Sequence, residues 1–184
     1  GTWFVVGLEL DAPVLTREAF KLGASNELGA EDTVRFVSNI NGFFLLEECR
    51  ERWAVDGERP GYATLLTAAA DATADALVNP DDPLFGIEGP MPDRIRRYCR
   101  KTGQPEPETR GAVVRVIVRS LAAKTAVRLT DLTTAAGASV DRLHLGGGGV
   151  RNELFCQELA TAVGLPVHAG AADATAVGNI LLQA

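Results

Sequence analysis

An apolar segment that runs straight into four consecutive glycines constrains this chain more than any other feature. Leu143–Leu145 leads into Gly146–Gly149, and a helical pattern follows from Val150. Four glycines remove every side chain from one turn. A ligand can then lie directly on the backbone, with the N–H groups of the turn and of the next helix facing an anion. The same glycines also suit a bare strand-to-helix turn, and alone they leave both readings open. The pattern G-x-x-x-x-G-K-[ST] is absent, which excludes a P-loop. A dinucleotide fingerprint wants a third glycine where Asn152 stands, and an acid closing the next strand, where Pro166–Ala169 has none.

Composition narrows the function classes. The chain has 184 residues and a net charge of −6, with its basic residues scattered, which argues against a nucleic-acid partner. The Arg94–Arg97 run has apolar spacing and reads as a solvated helix face. No apolar stretch approaches the ~20 residues of a membrane span, and no signal peptide is visible. Cys49, Cys99 and Cys156 are far apart, lack metal-type pairing and fall in helical patterns. Reduced, buried thiols in a cytoplasmic protein are the expectation. Cys156 follows the glycine turn but has no base partner. Gly1–Leu8 reads as a strand already under way, and the sole methionine is Met91. The expectation is therefore a piece of a longer protein.

The hydrophobic rhythm predicts strands at Thr2–Leu8 and Val34–Val37, with loop or a short hairpin over 11–32. It predicts helices over Asn41–Ala54, Tyr62–Leu77 and from Met91 to near Gly103. Thr109–Ala136 is the longest helical pattern, with Thr109 as N-cap and Gly137 as stop. The remainder alternates: strand at Val140–Leu145, helix over 150–163, strand at 166–169, helix over 173–183. A β-α-β-α unit implies parallel strands with a right-handed crossover, and ligands usually sit at the carboxyl ends of such strands. The glycine turn lies at that end. Asp173 reads as the N-cap of the last helix. The Asp81–Asp82 pair sits in a Pro-rich turn and reads as turn chemistry, not as a base or metal site.

Six separated segments then agree: Gly1–Trp3, Asn39–Glu47, Tyr98–Pro105, Arg119–Ala122, Gly147–Asn152 and Ala169–Asn179. In this order they resemble the carboxy-terminal domain of the FGGY carbohydrate kinases, and are most similar to members that phosphorylate L-rhamnulose. The resemblance spans nearly the whole chain. It implies an α/β fold, a ribonuclease-H-like lobe of the actin/Hsp70 type with a mixed sheet flanked by helices. It implies that residues 1–184 are the nucleotide-binding lobe of a two-lobe kinase whose amino-terminal lobe is absent.

The site residues follow from the same resemblance. Thr2 would approach the ATP phosphates, Asn39 would help hold the nucleotide, and Gly147, Gly148 and Gly149 would lie against it. Asn152 would begin the helix beside the adenosine, and the helix around Gly178 would cross its counterpart in the other lobe. A short hydroxyl at a glycine turn can donate to phosphate beside backbone N–H groups, which fits the role given to Thr2. ATP and Mg²⁺ are the implied cofactors. The catalytic aspartate of the family precedes the Gly1–Trp3 segment, so this chain holds no catalytic base, and most sugar contacts come from the other lobe. The chain departs from the family at Glu47, where glutamine is usual. A carboxylate there only accepts hydrogen bonds and repels phosphate. Gly146, Val150–Arg151 and Asp173 also depart. A kinase for L-fuculose or xylulose, or a non-catalytic ATP-binding module of the same fold, are the alternatives.

Overall fold

The structure is a computed structural model that describes residues 2–55, 57 and 59–183. The chain divides into two compact units. The first comprises residues 1–3 and 41–122; the second comprises residues 4–40 and 123–184.

The second unit carries the strands. β1 (Trp3–Leu10) alternates cleanly: Val6 and Leu8 are buried, while Val5, Gly7 and Glu9 face outward. Period-two burial of this kind is what a half-buried strand requires. β2 (Ser25–Leu28) pairs antiparallel with β3 (Val34–Asn41), Ser25 opposite Val37 and Leu28 opposite Val34. The order in this sheet is β1-β3-β2. A short helix, α1 (Arg17–Lys21), precedes β2 and is capped by Thr16, whose hydroxyl accepts the Ala19 N–H at 3.1 Å. β4 (Leu143–Leu145) and β5 (Val167–Ala169) pair in parallel, Leu143 opposite Val167. Among the described residues the strands form two separate sheets rather than one mixed sheet: β1-β3-β2, antiparallel at β2–β3, and the parallel pair β4-β5. Val6, Leu8, Phe36, Ile40, Leu129 and Leu132 form the core cluster of this unit. The Phe4 and Phe155 rings lie 5.2 Å apart at 54°, a tilted aromatic contact.

The first unit is helical. α2 (Phe44–Val55) buries Leu45, Leu46, Cys49 and Trp53, and packs against α4 (Met91–Lys101), which buries Met91, Ile95 and Cys99. Between them run α3 (Tyr62–Asp71) and a 3₁₀ turn at Pro83–Gly86. The long helix α5 (Arg110–Ala136) begins in this unit, with the Thr109 hydroxyl accepting the Ala112 N–H at 3.1 Å, and ends at Gly137 with φ +62°. Both boundaries are those the sequence predicts.

Several boundaries differ: β1 runs on to Leu10, not Leu8, and β4 begins only at Leu143, not Val140. α3 ends at Asp71, not Leu77; Ala72 is extended and residues 72–79 belong to no helix or strand. Side chains of this unit outcompete the helix for that backbone: Gln104 brackets Leu77 through its N–H (2.7 Å) and its carbonyl (2.8 Å), Ser120 takes the Val78 N–H at 2.9 Å, and Arg119 binds the Ala74 carbonyl. β3 continues to Asn41, so α2 starts only at Phe44. Residues 148–151 form a 3₁₀ turn, and α6 (Glu153–Val163) starts after Asn152. The last helix, α7 (Ala174–Gln183), buries no side chain and exposes Val177, Ile180, Leu181 and Leu182.

Candidate functional site

The glycine turn sits at the carboxyl end of β4, where the parallel ladder delivers it. Two backbone bonds tie the β4 and β5 exits together: Gly170 N–H donates to the Leu145 carbonyl at 2.8 Å, and Gly147 N–H donates to the Ala171 carbonyl at 3.1 Å. Gly147 has φ +81°, a conformation that side chains rarely adopt. The chain then closes a 3₁₀ turn through Val150 N–H to Gly147 O (3.2 Å) and Asn152 N–H to Gly149 O (3.1 Å). No backbone carbonyl among the described residues takes the Gly148 or Gly149 N–H.

The four glycines have different reasons to be glycine. Gly147 needs its backbone angle. A Cβ at Gly146 would meet the Ala174 Cβ at 3.3 Å, so Gly146 lets α7 approach closely. At Gly148 and Gly149 a Cβ would meet nothing within 4 Å, and neither has a positive φ. Nothing within this unit requires glycine at these two positions. Bare backbone with open space above it and two N–H groups without carbonyls is a shape that accepts an anion.

Asn152 is the pivot. It is buried, and its Oδ1 accepts the Phe155 N–H at 2.9 Å while its own carbonyl takes the Cys156 N–H. Its side-chain oxygen is therefore committed to capping α6, which fixes the direction in which the turn leaves β4. Gly178 lies half-buried in mid-α7, and a methyl group there would meet nothing within 4 Å. Asn39 is the exposed residue near the end of β3, between buried Ser38 and Ile40. Gly147, Gly148, Gly149, Asn152, Asn39 and Gly178 all belong to the second unit. Thr2 belongs to the first, where its carbonyl accepts the Gly42 N–H at 2.8 Å.

Other polar groups have structural employment. Glu47 binds Arg50 through both oxygens (3.0 and 3.1 Å) and Arg59 at 3.1 Å, and Arg50 also lies 3.8 Å over the Tyr62 ring. Asp81 accepts the Asn41 N–H at 3.1 Å, and Asp82 caps the 3₁₀ turn by accepting the Leu84 N–H at 2.8 Å. Asp82 is thus a turn-forming group, as its setting in the sequence suggests, whereas the Asp81 carboxylate ties the turn to Asn41. Among the described residues no group of three or more His, Cys, Asp or Glu could hold a metal ion. The three cysteines are free thiols in α2, α4 and α6. Burial pushes the Cys156 thiol above its ordinary range, and its Sγ lies 3.7 Å from the Val150 carbonyl. A nucleophile needs the opposite shift. Sequence reasoning gave no role to the Arg151–Asp173 approach (Nη2 to Oδ2, 3.9 Å), which spans from the glycine turn to the start of α7. Asp173 accepts the Val177 N–H through its carbonyl, so it does occupy the cap position.

The model of the FGGY family of carbohydrate kinases, C-terminal domain, matches residues 1–184. The chain belongs to that family. It is 44% identical over 185 residues to a rhamnulokinase of Bacteroides thetaiotaomicron, and 34% identical over 186 residues to one of Enterococcus faecalis. Each match covers 100% of this chain and 37% of the relative, so the chain spans little more than a third of their length. Among solved structures, the crystal structure of xylulose kinase from Bifidobacterium adolescentis superposes with a TM-score of 0.57 at 19% identity. It covers 91% of this chain and 31% of that one. The fold is accordingly the α/β fold of the FGGY sugar kinases.

Proposed function

We propose that this chain supplies the nucleotide side of an ATP-dependent ketose kinase. The complete protein would transfer the γ-phosphoryl group to the 1-hydroxyl of L-rhamnulose. The observation that carries the reading is the pair Gly148–Gly149, bare of side chains although nothing within its unit demands it. A nucleotide laid on that backbone gives the two glycines a reason. The similarity to rhamnulokinases at 31–44% identity supports the sugar.

When bound, ATP with Mg²⁺ supplies the phosphoryl group and the charge neutralisation that its transfer needs. The chain's residues do the rest of the holding. Gly147 sets the bend. The N–H groups of Gly148 and Gly149 donate to the nucleotide. Asn152 locks the turn to α6, Asn39 adds a polar contact, and Gly178 keeps α7 smooth for a neighbouring segment. Thr2 faces phosphate, as the family resemblance implies. The proton acceptor for the sugar hydroxyl and most sugar contacts lie outside residues 1–184, so these residues alone are inactive.

A panel of L-rhamnulose, L-fuculose and xylulose, offered to the full-length protein with Mg-ATP, tests the reading. The expected result is ADP release that is fastest with L-rhamnulose, and none from residues 1–184 alone. Preference for another sugar overturns the substrate. Turnover by residues 1–184 overturns the placement of the base, and ATP binding without turnover of any sugar favours a non-catalytic module.

A further inference from the structure

α4 arranges Arg94, Arg96, Arg97 and Arg100 around one cavity of about 420 Å³ in the first unit. Like charges three and four residues apart on a helix repel, so four guanidiniums on one wall need a counter-charge. Two of them have it. Arg96 donates to Asp93 at 3.0 Å, and Arg100 grips both oxygens of Glu106 at 2.7 Å.

Arg97 has none among the described residues, and Arg94 has only a long ion pair to Glu48. The Arg94 side chain is only 9% exposed. Its Nη1 donates to the carbonyls of Phe85 and Ile87 at 2.6 Å each, which aims the guanidinium without cancelling its charge. Its Nε has no acceptor, and its Nη2 comes no nearer to a carboxylate among the described residues than 3.9 Å, at Glu48. A charged group held this deep is costly unless something compensates it. Arg97, one helical turn on, is exposed and has no ion pair among the described residues. The remaining wall includes Glu88 and Gly89, the latter at φ +118°, which leaves bare backbone beside the start of α4.

We propose that this cavity binds a small phosphorylated anion, at a site separate from the glycine turn. Arg94, held from behind by two carbonyls, and Arg97, free at the rim, are its contacts. A phosphate group matches the planar guanidinium fork and supplies the negative charge that Arg97 lacks and that Glu48 brings no nearer than 3.9 Å to Arg94. A neutral ligand would leave Arg97 without a counter-charge.

Calorimetric titration of the full-length protein with inorganic pyrophosphate, at ionic strength fixed with sodium chloride, tests this. The titration is made in a Gly148→Val background, so that the glycine turn does not compete. Saturable binding is expected, weakened about tenfold or more by an added Arg97→Gln, the scale for one charge-assisted hydrogen bond. Arg97 is exposed and unpaired among the described residues, so an unchanged thermal midpoint should confirm that the fold is kept. Absence of saturable heat overturns the proposal, and so does binding that Arg97→Gln leaves unchanged. Failure of nucleotide binding at the glycine turn would not touch it, because that site is already blocked in every sample.

Discussion

Replacing Gly111 by alanine places a methyl carbon 2.4 Å from the carbonyl oxygen of Ala68 and 3.2 Å from its Cβ. The first of these is backbone, which cannot swing aside, so α3 and α5 must part by roughly 1 Å to restore contact distance. Overpacking of this kind costs about 1–3 kcal/mol. Better helix propensity offsets at most ~1 kcal/mol, and less in a first turn. The net loss is about 1–2 kcal/mol, or roughly 3–6 °C in the thermal midpoint for a chain of this size. Gly178→Ala should act in the opposite direction. Its methyl meets nothing within 4 Å, and Gly178 lies inside a helix, where alanine gains ~0.5–1 kcal/mol. Because α7 buries nothing, that gain should appear as local protection and not as a shifted midpoint. Urea and thermal unfolding of residues 1–184, with hydrogen exchange over residues 174–183, measure both. The expected pair is a lowered midpoint for Gly111→Ala and about two- to fivefold slower exchange in α7 for Gly178→Ala. Equal midpoints for Gly111→Ala and wild type, or faster exchange in Gly178→Ala, would refute the distinction between glycines the fold requires and glycines it does not.

Asn152→Ala should cost about 1–2 kcal/mol by removing the α6 cap, whereas Asn152→Asp, which keeps the acceptor, should be near neutral in urea unfolding. Asp32→Gly should stabilise the β2–β3 hairpin by about 0.5–1 kcal/mol, because φ +61° is strained for aspartate; a lowered midpoint would contradict this. Burial, opposed in part by Arg94 and Arg96, raises the Cys49 thiol far above its ordinary value near 9.0. The folded state therefore keeps the proton that the unfolded chain releases. The contribution is complete below pH 9.0 and declines as pH rises further. Alkylation of Cys49 at pH 8 should follow unfolding, and labelling of the native protein at the rate of a free thiol would contradict the burial.

What the sequence reveals depends on how local each signal is. Thr109, Gly137 and the apolar period between them define α5 because cap, stop and face all lie within one segment. The glycine turn is legible for the same reason. The strap over 72–79 is not: its alanine-rich sequence favours helix, and only Gln104, Ser120 and Arg119, distant in the chain, draw its backbone out. The β2–β3 turn is hidden because Glu31 and Asp32 carry the positive φ usually given to Asn-Gly. At the site, the sequence shows which residues flank the turn but not how they are engaged. Asn152 has the side chain of a ligand contact, yet its oxygen caps a helix. Glu47 lies in a segment shared with the family, yet two arginines occupy it. The buried Arg94 is invisible in a run that reads as a solvated helix face, since its partners, the Phe85 and Ile87 carbonyls and Glu48, come from other segments.

The central claim is that Gly148 and Gly149 are bare for a nucleotide. Calorimetric titration of the full-length protein with ADP and Mg²⁺, wild type beside Gly148→Val, tests it most directly. Since a Cβ at Gly148 meets nothing within 4 Å, the variant should keep its unfolding midpoint. It should bind ADP at least about tenfold more weakly, because the side chain occupies the space the nucleotide needs. Undiminished ADP binding by a folded Gly148→Val protein would contradict the account.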